Sequence, residues 1–316
     1  MHLSRHYAEL PAAFKGGVVA IGNFDGVHLG HRAVIGLARE IAHQLRTKLM
    51  VLTFEPHPRS FFFPDGKPFR LTQLPGKARE IGAHGADGIV AVPFDAELAA
   101  KSAEDFIADI LVDGFAAKHV VVGYDFVFGH RRRGDVALLQ QHGTRDGFGV
   151  TAIPPVTGPD GSAYSSTRIR NLLGEGKPQA AAVLLGRAWE IEGPIAHGDA
   201  RGRTIGFPTA NVALGDYLRP AFGVYAVKIG IERAGAPEQF DWHAGVANLG
   251  LRPTIGDDKV MLEAHIFNFA GDIYGRTARV AMIDYIRPER KFAGLDELKA
   301  QIAKDGDAAR AILAHA

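Results

Sequence analysis

Along the first half of the chain, short apolar runs recur at Val18 to Ile21, Leu49 to Phe54, Ile89 to Val92, Val120 to Val122 and Val150 to Ile153. Most are near-continuous rather than alternating, the pattern of strands buried on both faces. Between them lie helical periodicities. The clearest holds Val34, Ile35, Ala38, Ile41, Ala42 and Leu45, and another opens at Ser102 with Asp105 completing a capping box. Strand and helix alternating in this way predict a parallel sheet with helices on both faces.

After a last helical stretch from about Thr167 to Leu185 the texture changes. Strand candidates follow at Trp189 to Ile195, Val224 to Ile231, Trp242 to Leu249, Met261 to Phe267 and Ala278 to Ile286, with no helix between them. Strands in succession predict a barrel or sandwich. A single helix from Leu295 to Ala303 closes the chain, and the boundary is expected near Leu185 to Arg187, giving domains 1–186 and 187–316.

Composition narrows the chemistry. With 316 residues, 47% hydrophobic and 22% charged, the chain can build two soluble domains, each with its own core. No apolar run approaches the roughly 18 residues of a membrane span. Met1 to Leu10 carries His2, Arg5, His6 and Glu9 without the apolar core of a secretory signal, so a cytoplasmic protein is expected. Zero cysteines exclude disulfides, thiolate zinc and iron–sulfur clusters, leaving oxygen and imidazole ligands and favouring hard cations such as magnesium. A net charge of +1 gives no field that argues for nucleic acid, and the basic run His130 to Arg133 reads as a local anion contact.

The first candidate site is the string Gly22-Asn23-Phe24-Asp25-Gly26-Val27-His28-Leu29-Gly30-His31, between the first strand and a helix. A glycine-rich turn at a helix N-terminus points backbone N–H groups at an anion, and His28 and His31 share a helix face from which imidazoles can donate to a phosphoryl group. Two other readings stand beside this one: surface histidines on a turn that needs glycine, and a metal site of Asp25, His28 and His31. Ser166 and Thr167 offer hydroxyls to phosphate oxygens at a helix start, with Arg168 to neutralise a leaving pyrophosphate; the alternative is an ordinary N-cap. Phe54, Phe126 and Phe128 are either rings that flank a ligand or plain core.

The second candidate site is the glycine-rich stretch Gly193 to Asn211, read as a loop that wraps phosphates or as a flexible surface loop. Within it Thr209 and Asn211 supply hard neutral oxygens suited to magnesium. Further on, strand alternation sends Leu262, Ala264 and Ile266 one way and Glu263 and His265 the other, which leaves Glu263 as either a solvated strand residue or a functional one.

The first string resembles the G-x-F-D-G-x-H-x-G-H signature of nucleotidyltransferases that make FAD. Thr53-Phe54-Glu55-Pro56-His57-Pro58, Gly123 to Gly129 with Asp125, and Ser165-Ser166-Thr167-Arg168-Ile169-Arg170 agree with it in order. The segment Gly202-Arg203 with Gly206-Phe207-Pro208-Thr209-Ala210-Asn211 is similar to the riboflavin kinase signature. It is followed by Gly223-Val224-Tyr225, Gly245 to Gly250, Arg252-Pro253-Thr254, Leu262 to His265, Asp272 to Gly275 and Arg287-Pro288-Glu289. The chain therefore resembles the bacterial bifunctional riboflavin kinase/FAD synthetase family from Gly22 to about Ile302.

That resemblance implies a Rossmann-like α/β nucleotidyltransferase domain and a Greek-key barrel kinase domain, converting riboflavin to FMN and then FAD with ATP and Mg2+. It implies Gly22, Asn23, Phe24, Asp25, Gly26, Asp125, Ser166 and Thr167 around one nucleotide, and Gly198, Arg203, Thr209 and Asn211 around the other. Glu263 is implied as the general base for the riboflavin 5′-hydroxyl. The small departures are Asn268, where an acidic residue is frequent, and a variable hairpin tip at Ala234 to Asp241. Riboflavin, FMN and ATP are the expected partners, with no nucleic acid, no membrane and no predicted oligomer. The rivals are an adenylyltransferase for another phosphorylated small molecule, with a barrel that only binds flavin, and a non-catalytic flavin-binding module.

Overall fold

The computed structural model describes residues 1–196, 209–254 and 257–315, without the side chains of 252–259. The chain forms two compact units, Met1–Gly66 with Leu74–Ser165, and Lys67–Gln73 with Ser166–Ala316.

The first unit is built on a parallel sheet of β1 (His2–Ser4), β2 (Val18–Ile21), β3 (Leu49–Phe54), β4 (Gly88–Val92), β5 (His119–Gly123) and β6 (Gly149–Ile153), in the order β1-β4-β3-β2-β5-β6. Alternate residues feed two cores, as both-face burial requires. Val18, Ala20, Leu49 and Val51 pack with Val34, Ile35, Ala38 and Ala42 of helix α1 (Leu29–Gln44) and with Leu74, Ala78 and Ile81 of the helix Leu74–Ala83. Val19, Ile21, Met50 and Leu52 pack with Phe106, Ile107, Ile110 and Leu111 and with Leu139 of the helix Val136–Asp146. Ser102 caps its helix, its Oγ accepting the Asp105 N–H at 2.9 Å, but its partner contact with the Asp105 carboxylate is through the hydroxyl, which donates to Oδ2 at 2.7 Å, in place of the backbone N–H of a full capping box.

Strands β3 and β4 build out from one side of β2, whereas β5 and β6 lie on its other side. The order therefore reverses between β2 and β5, and the crevice outside their carboxyl ends is where open α/β sheets bind ligands.

The second unit holds a closed barrel of β7 (Trp189–Ala196), β8 (Thr209–Ala213), β9 (Gly223–Arg233), β10 (Ala236–Thr254), β11 (Asp257–Ile266) and β12 (Thr277–Arg287). Strands β9, β10 and β11 follow one another and β12 returns beside β9, which is the Greek-key arrangement. Closure removes the unpaired edges that an open antiparallel sheet would expose. Val212, Val227, Leu249, Leu262, Ala264 and Val280 are fully buried along alternating strand positions.

The helix Leu295–Leu313 lies against Val224, Ala226 and Val246 through Ala309, Ile312 and Leu313. It runs well past the Ala303 read from the sequence. The helical stretch expected from Thr167 to Leu185 is two helices, Ser166–Gly174 and Pro178–Leu185, divided where Gly176 takes φ +71°. The Gly193 to Asn211 stretch is not all loop. Its first residues finish β7 and its two candidate ligand positions, Thr209 and Asn211, are inside β8, paired with β11.

Candidate active sites

The β2–α1 turn carries the first site. Phe24, Gly26 and Val27 have φ of +48°, +89° and +43°. Left-handed backbone is ordinary for Gly26, but for the β-branched Val27 it is strained, and such strain concentrates at functional sites. Val27 and Phe24 are buried, so packing holds the strained turn in place. His28 then caps α1, its Nδ1 accepting the His31 N–H at 3.3 Å. That contact selects the tautomer with the proton on Nε2, which leaves His28 a donor. The two imidazoles stack with centroids 3.6 Å apart and planes 18° from parallel, and Phe24 meets His31 edge-on at 5.3 Å. A side chain at Gly30 would come within 3.1 Å of the His28 ring, so this glycine makes room for the pair.

Gly22 follows β2 directly under the Phe24 ring, where a Cβ would lie 3.2 Å from it. Asp25 is buried, and Asn23 is exposed with its carbonyl accepting from Thr53 Oγ1 at 3.2 Å. Asp125 follows β5, on the other side of the strand-order reversal, and is exposed. Phe54 and Phe128 are core residues, while Phe126 is half-buried and stacks on Phe128 at 5.3 Å. Among the described residues no group of three or more His, Asp and Glu could hold a metal ion, so the reading of Asp25, His28 and His31 as ligands receives no geometric support.

In the barrel, Glu263 lies directly across from Asn211 on β8 and from Asn248 on β10. Directly opposed residues project to one face, so Asn211, Glu263 and Asn248 form a polar row across three strands. Glu263 and His265 are half-buried while Leu262, Ala264 and Ile266 are buried, as the alternation predicts. Asn248 Nδ2 donates to Glu289 Oε1 at 3.1 Å. Asn211 is 3% exposed, and its Oδ1 has no hydrogen-bond partner among the described residues. Thr209 stands opposite His265 in the same register. Ser166, Thr167 and Arg168 open a helix of the second unit, with Arg168 half-buried. Gly198 and Arg203 lie outside the described residues, as does the rest of the glycine-rich stretch from 197 to 208.

A family model described as FAD synthetase matches residues 10–168, and one described as riboflavin kinase matches residues 185–313. The chain is 43% identical to a bifunctional riboflavin kinase/FMN adenylyltransferase of Escherichia coli K12, over 94% of this chain and 92% of that one. The protein of the same description from Pseudomonas fluorescens is 42% identical over 99% and 98%. The chain belongs to the bifunctional riboflavin kinase/FMN adenylyltransferase family.

A crystal structure described as a macrolide-efflux protein from Streptococcus pneumoniae matches at TM-score 0.83 and 30% identity, over 98% of both chains. Efflux is that protein's description. Among the described residues here, no helix is long and apolar enough to cross a membrane.

For a riboflavin kinase/FMN adenylyltransferase, one buried group went unnoticed in the sequence. Lys77 is 0% exposed, on the helix Leu74–Ala83. The signal was there: Leu74, Lys77, Ala78 and Ile81 fall at i, i+3, i+4 and i+7, which puts a lysine on the buried stripe of an amphipathic helix. Asn268 takes φ +53° just after β11, a left-handed position that asparagine tolerates better than most residues.

Proposed function

We infer that the chain makes FAD from riboflavin in two ATP-dependent steps, phosphorylation of riboflavin to FMN followed by adenylylation of FMN with release of pyrophosphate. The observation that carries this reading is that two different sets of chemical groups are built on two different folds. One has a stacked histidine pair on a strained turn at the strand-order reversal of a parallel sheet, and the other a strand glutamate between two asparagines on a closed barrel. Residues 1–186 are assigned to adenylyl transfer and 187–316 to the kinase.

In adenylyl transfer the FMN phosphate attacks the α-phosphorus of ATP and pyrophosphate leaves. Charge grows on the phosphoryl oxygens, and the His28 Nε2–H with the His31 imidazole stabilises it by donation. The amides of the turn from Gly22 to Gly26 receive phosphate oxygens and Asp125 holds the nucleotide or flavin, while Ser166, Thr167 and Arg168 are assigned to the pyrophosphate by motif.

In the kinase the riboflavin 5′-hydroxyl attacks the γ-phosphorus of ATP while the Glu263 carboxylate takes its proton. Thr209 and Asn211 would hold magnesium, and the buried Asn211 oxygen with no described protein partner fits an oxygen-liganded hard cation. Bound there, the ion would neutralise charge on the ATP phosphates. Gly198 and Arg203 are assigned to those phosphates by motif. The activities are assigned to a cytoplasmic protein acting on small molecules.

The two half-reactions test this separately. Riboflavin with ATP should yield FMN and ADP, and FMN with ATP should yield FAD and pyrophosphate. A protein that binds flavin yet forms neither product would be the non-catalytic module instead.

A further inference from the structure

Lys77 has the environment of a group kept for a purpose. An ammonium wholly removed from water is costly unless it is hydrogen-bonded, so a lysine seldom occupies a helix's apolar stripe. Here its Nζ donates to Thr53 Oγ1 at 3.3 Å, and Thr53 is itself 0% exposed at the end of β3. With an N–H directed at the hydroxyl oxygen, the Thr53 proton is free to point elsewhere, and it goes to the Asn23 carbonyl at 3.2 Å. Donation from a cation also polarises the hydroxyl and strengthens its own donation.

We propose that Lys77 is a positioning residue for adenylyl transfer, fixing the Asn23 carbonyl through Thr53 and so holding the strained turn that leads to His28. The turn needs such a tether. Phe24 and Val27 sit in left-handed backbone that their side chains disfavour, and Asn23 immediately precedes them while itself exposed. Anchoring the Asn23 carbonyl fixes the peptide plane between Asn23 and Phe24, and with it the direction of the Phe24 N–H. Lys77 makes no contact with substrate in this account; it acts on the turn through Thr53. The proposal rests on the reading of the first unit as the FMN adenylyltransferase.

The test compares Lys77→Met, Thr53→Val, Thr53→Ser and the Lys77→Met/Thr53→Val double variant in the full chain. FMN adenylylation is measured with ATP varied, and riboflavin phosphorylation is measured in the same preparations. Losing a hydrogen bond to a charged group corresponds to about 10- to 100-fold, so Lys77→Met and Thr53→Val should each lower kcat/KM for adenylylation by that amount. Riboflavin phosphorylation should remain, Thr53→Ser should recover most of the loss, and the double variant should be no worse than Thr53→Val, because Lys77 acts through Thr53 in series.

Wild-type adenylylation in Lys77→Met would overturn the proposal. So would strictly additive losses, equal damage from Thr53→Ser and Thr53→Val, or parallel loss of both activities. If Lys77→Met does not fold, the contrast between the two Thr53 variants decides by the same criteria. Failure of the underlying reading shows separately, as absence of FAD formation by the unaltered protein.

Discussion

At the scale of single residues, the two sites rely on different chemistry, and their variants should separate cleanly. In the proposed mechanism His28 and His31 stabilise charge that develops only in adenylyl transfer, so replacing both by Ala should abolish FAD formation from FMN while riboflavin phosphorylation continues. FAD formation at the wild-type rate would remove the pair from the mechanism. Glu263→Gln keeps size and hydrogen bonding but removes the proton acceptor, and loss of one general base costs about 100- to 10,000-fold in rate. The defect should lie in riboflavin turnover, with riboflavin binding and FMN adenylylation retained. Near-normal phosphorylation in that variant would return Glu263 to a solvated strand position. The placing of these residues on a turn and a strand was legible in the sequence, from the glycine-rich string and the strand alternation. The histidine stack was not, since it depends on the left-handed turn at Phe24 and Val27, which no spacing rule encodes.

At the scale of elements, β8 carries both residues proposed to hold magnesium for the kinase. It was hidden in the sequence because Thr-Ala-Asn-Val-Ala is short and follows a run rich in glycine, which reads as loop. On the strand, Thr209 and Asn211 gain a fixed register against β11 that a loop would not supply. Thr209→Val or Asn211→Leu should therefore weaken kinase activity mainly through magnesium–ATP binding, rescued in part by raising both, with adenylylation of supplied FMN largely intact. Unchanged nucleotide binding with no rescue would remove the metal role.

The closing helix is held by a different device. Arg287 on β12 donates to both oxygens of the buried Asp305 at 2.9 and 2.6 Å, and Gln301 donates to the same carboxylate at 2.7 Å. Arg287→Met leaves that carboxylate short of its bidentate partner and should cost about 2–3 kcal/mol in denaturant unfolding of the barrel unit. Arg287→Lys should recover little, since an ammonium cannot make the paired contact. Full stability in either variant would show that the apolar contacts of Ala309, Ile312 and Leu313 suffice. The early end read for this helix has a plain cause: Asp305, Gly306 and Asp307 interrupt its apolar pattern, yet the pair with Arg287 and the later apolar residues carry it on.

At the scale of the whole molecule, the sequence made the architecture legible because its two halves use different periodicities. Near-continuous runs separated by helices became a parallel sheet, and strands in succession became a barrel. Short elements were lost, β1 among them, since three residues at a sheet edge carry no pattern. The central claim is that one chain carries riboflavin through FMN to FAD. Its most direct measurement is a time course of pure protein with riboflavin, ATP and magnesium, resolving both flavin products. FMN should appear first and FAD should follow as a product of FMN, with ADP and pyrophosphate released in turn. FMN accumulating without FAD, or no FMN at all from riboflavin, would contradict the account.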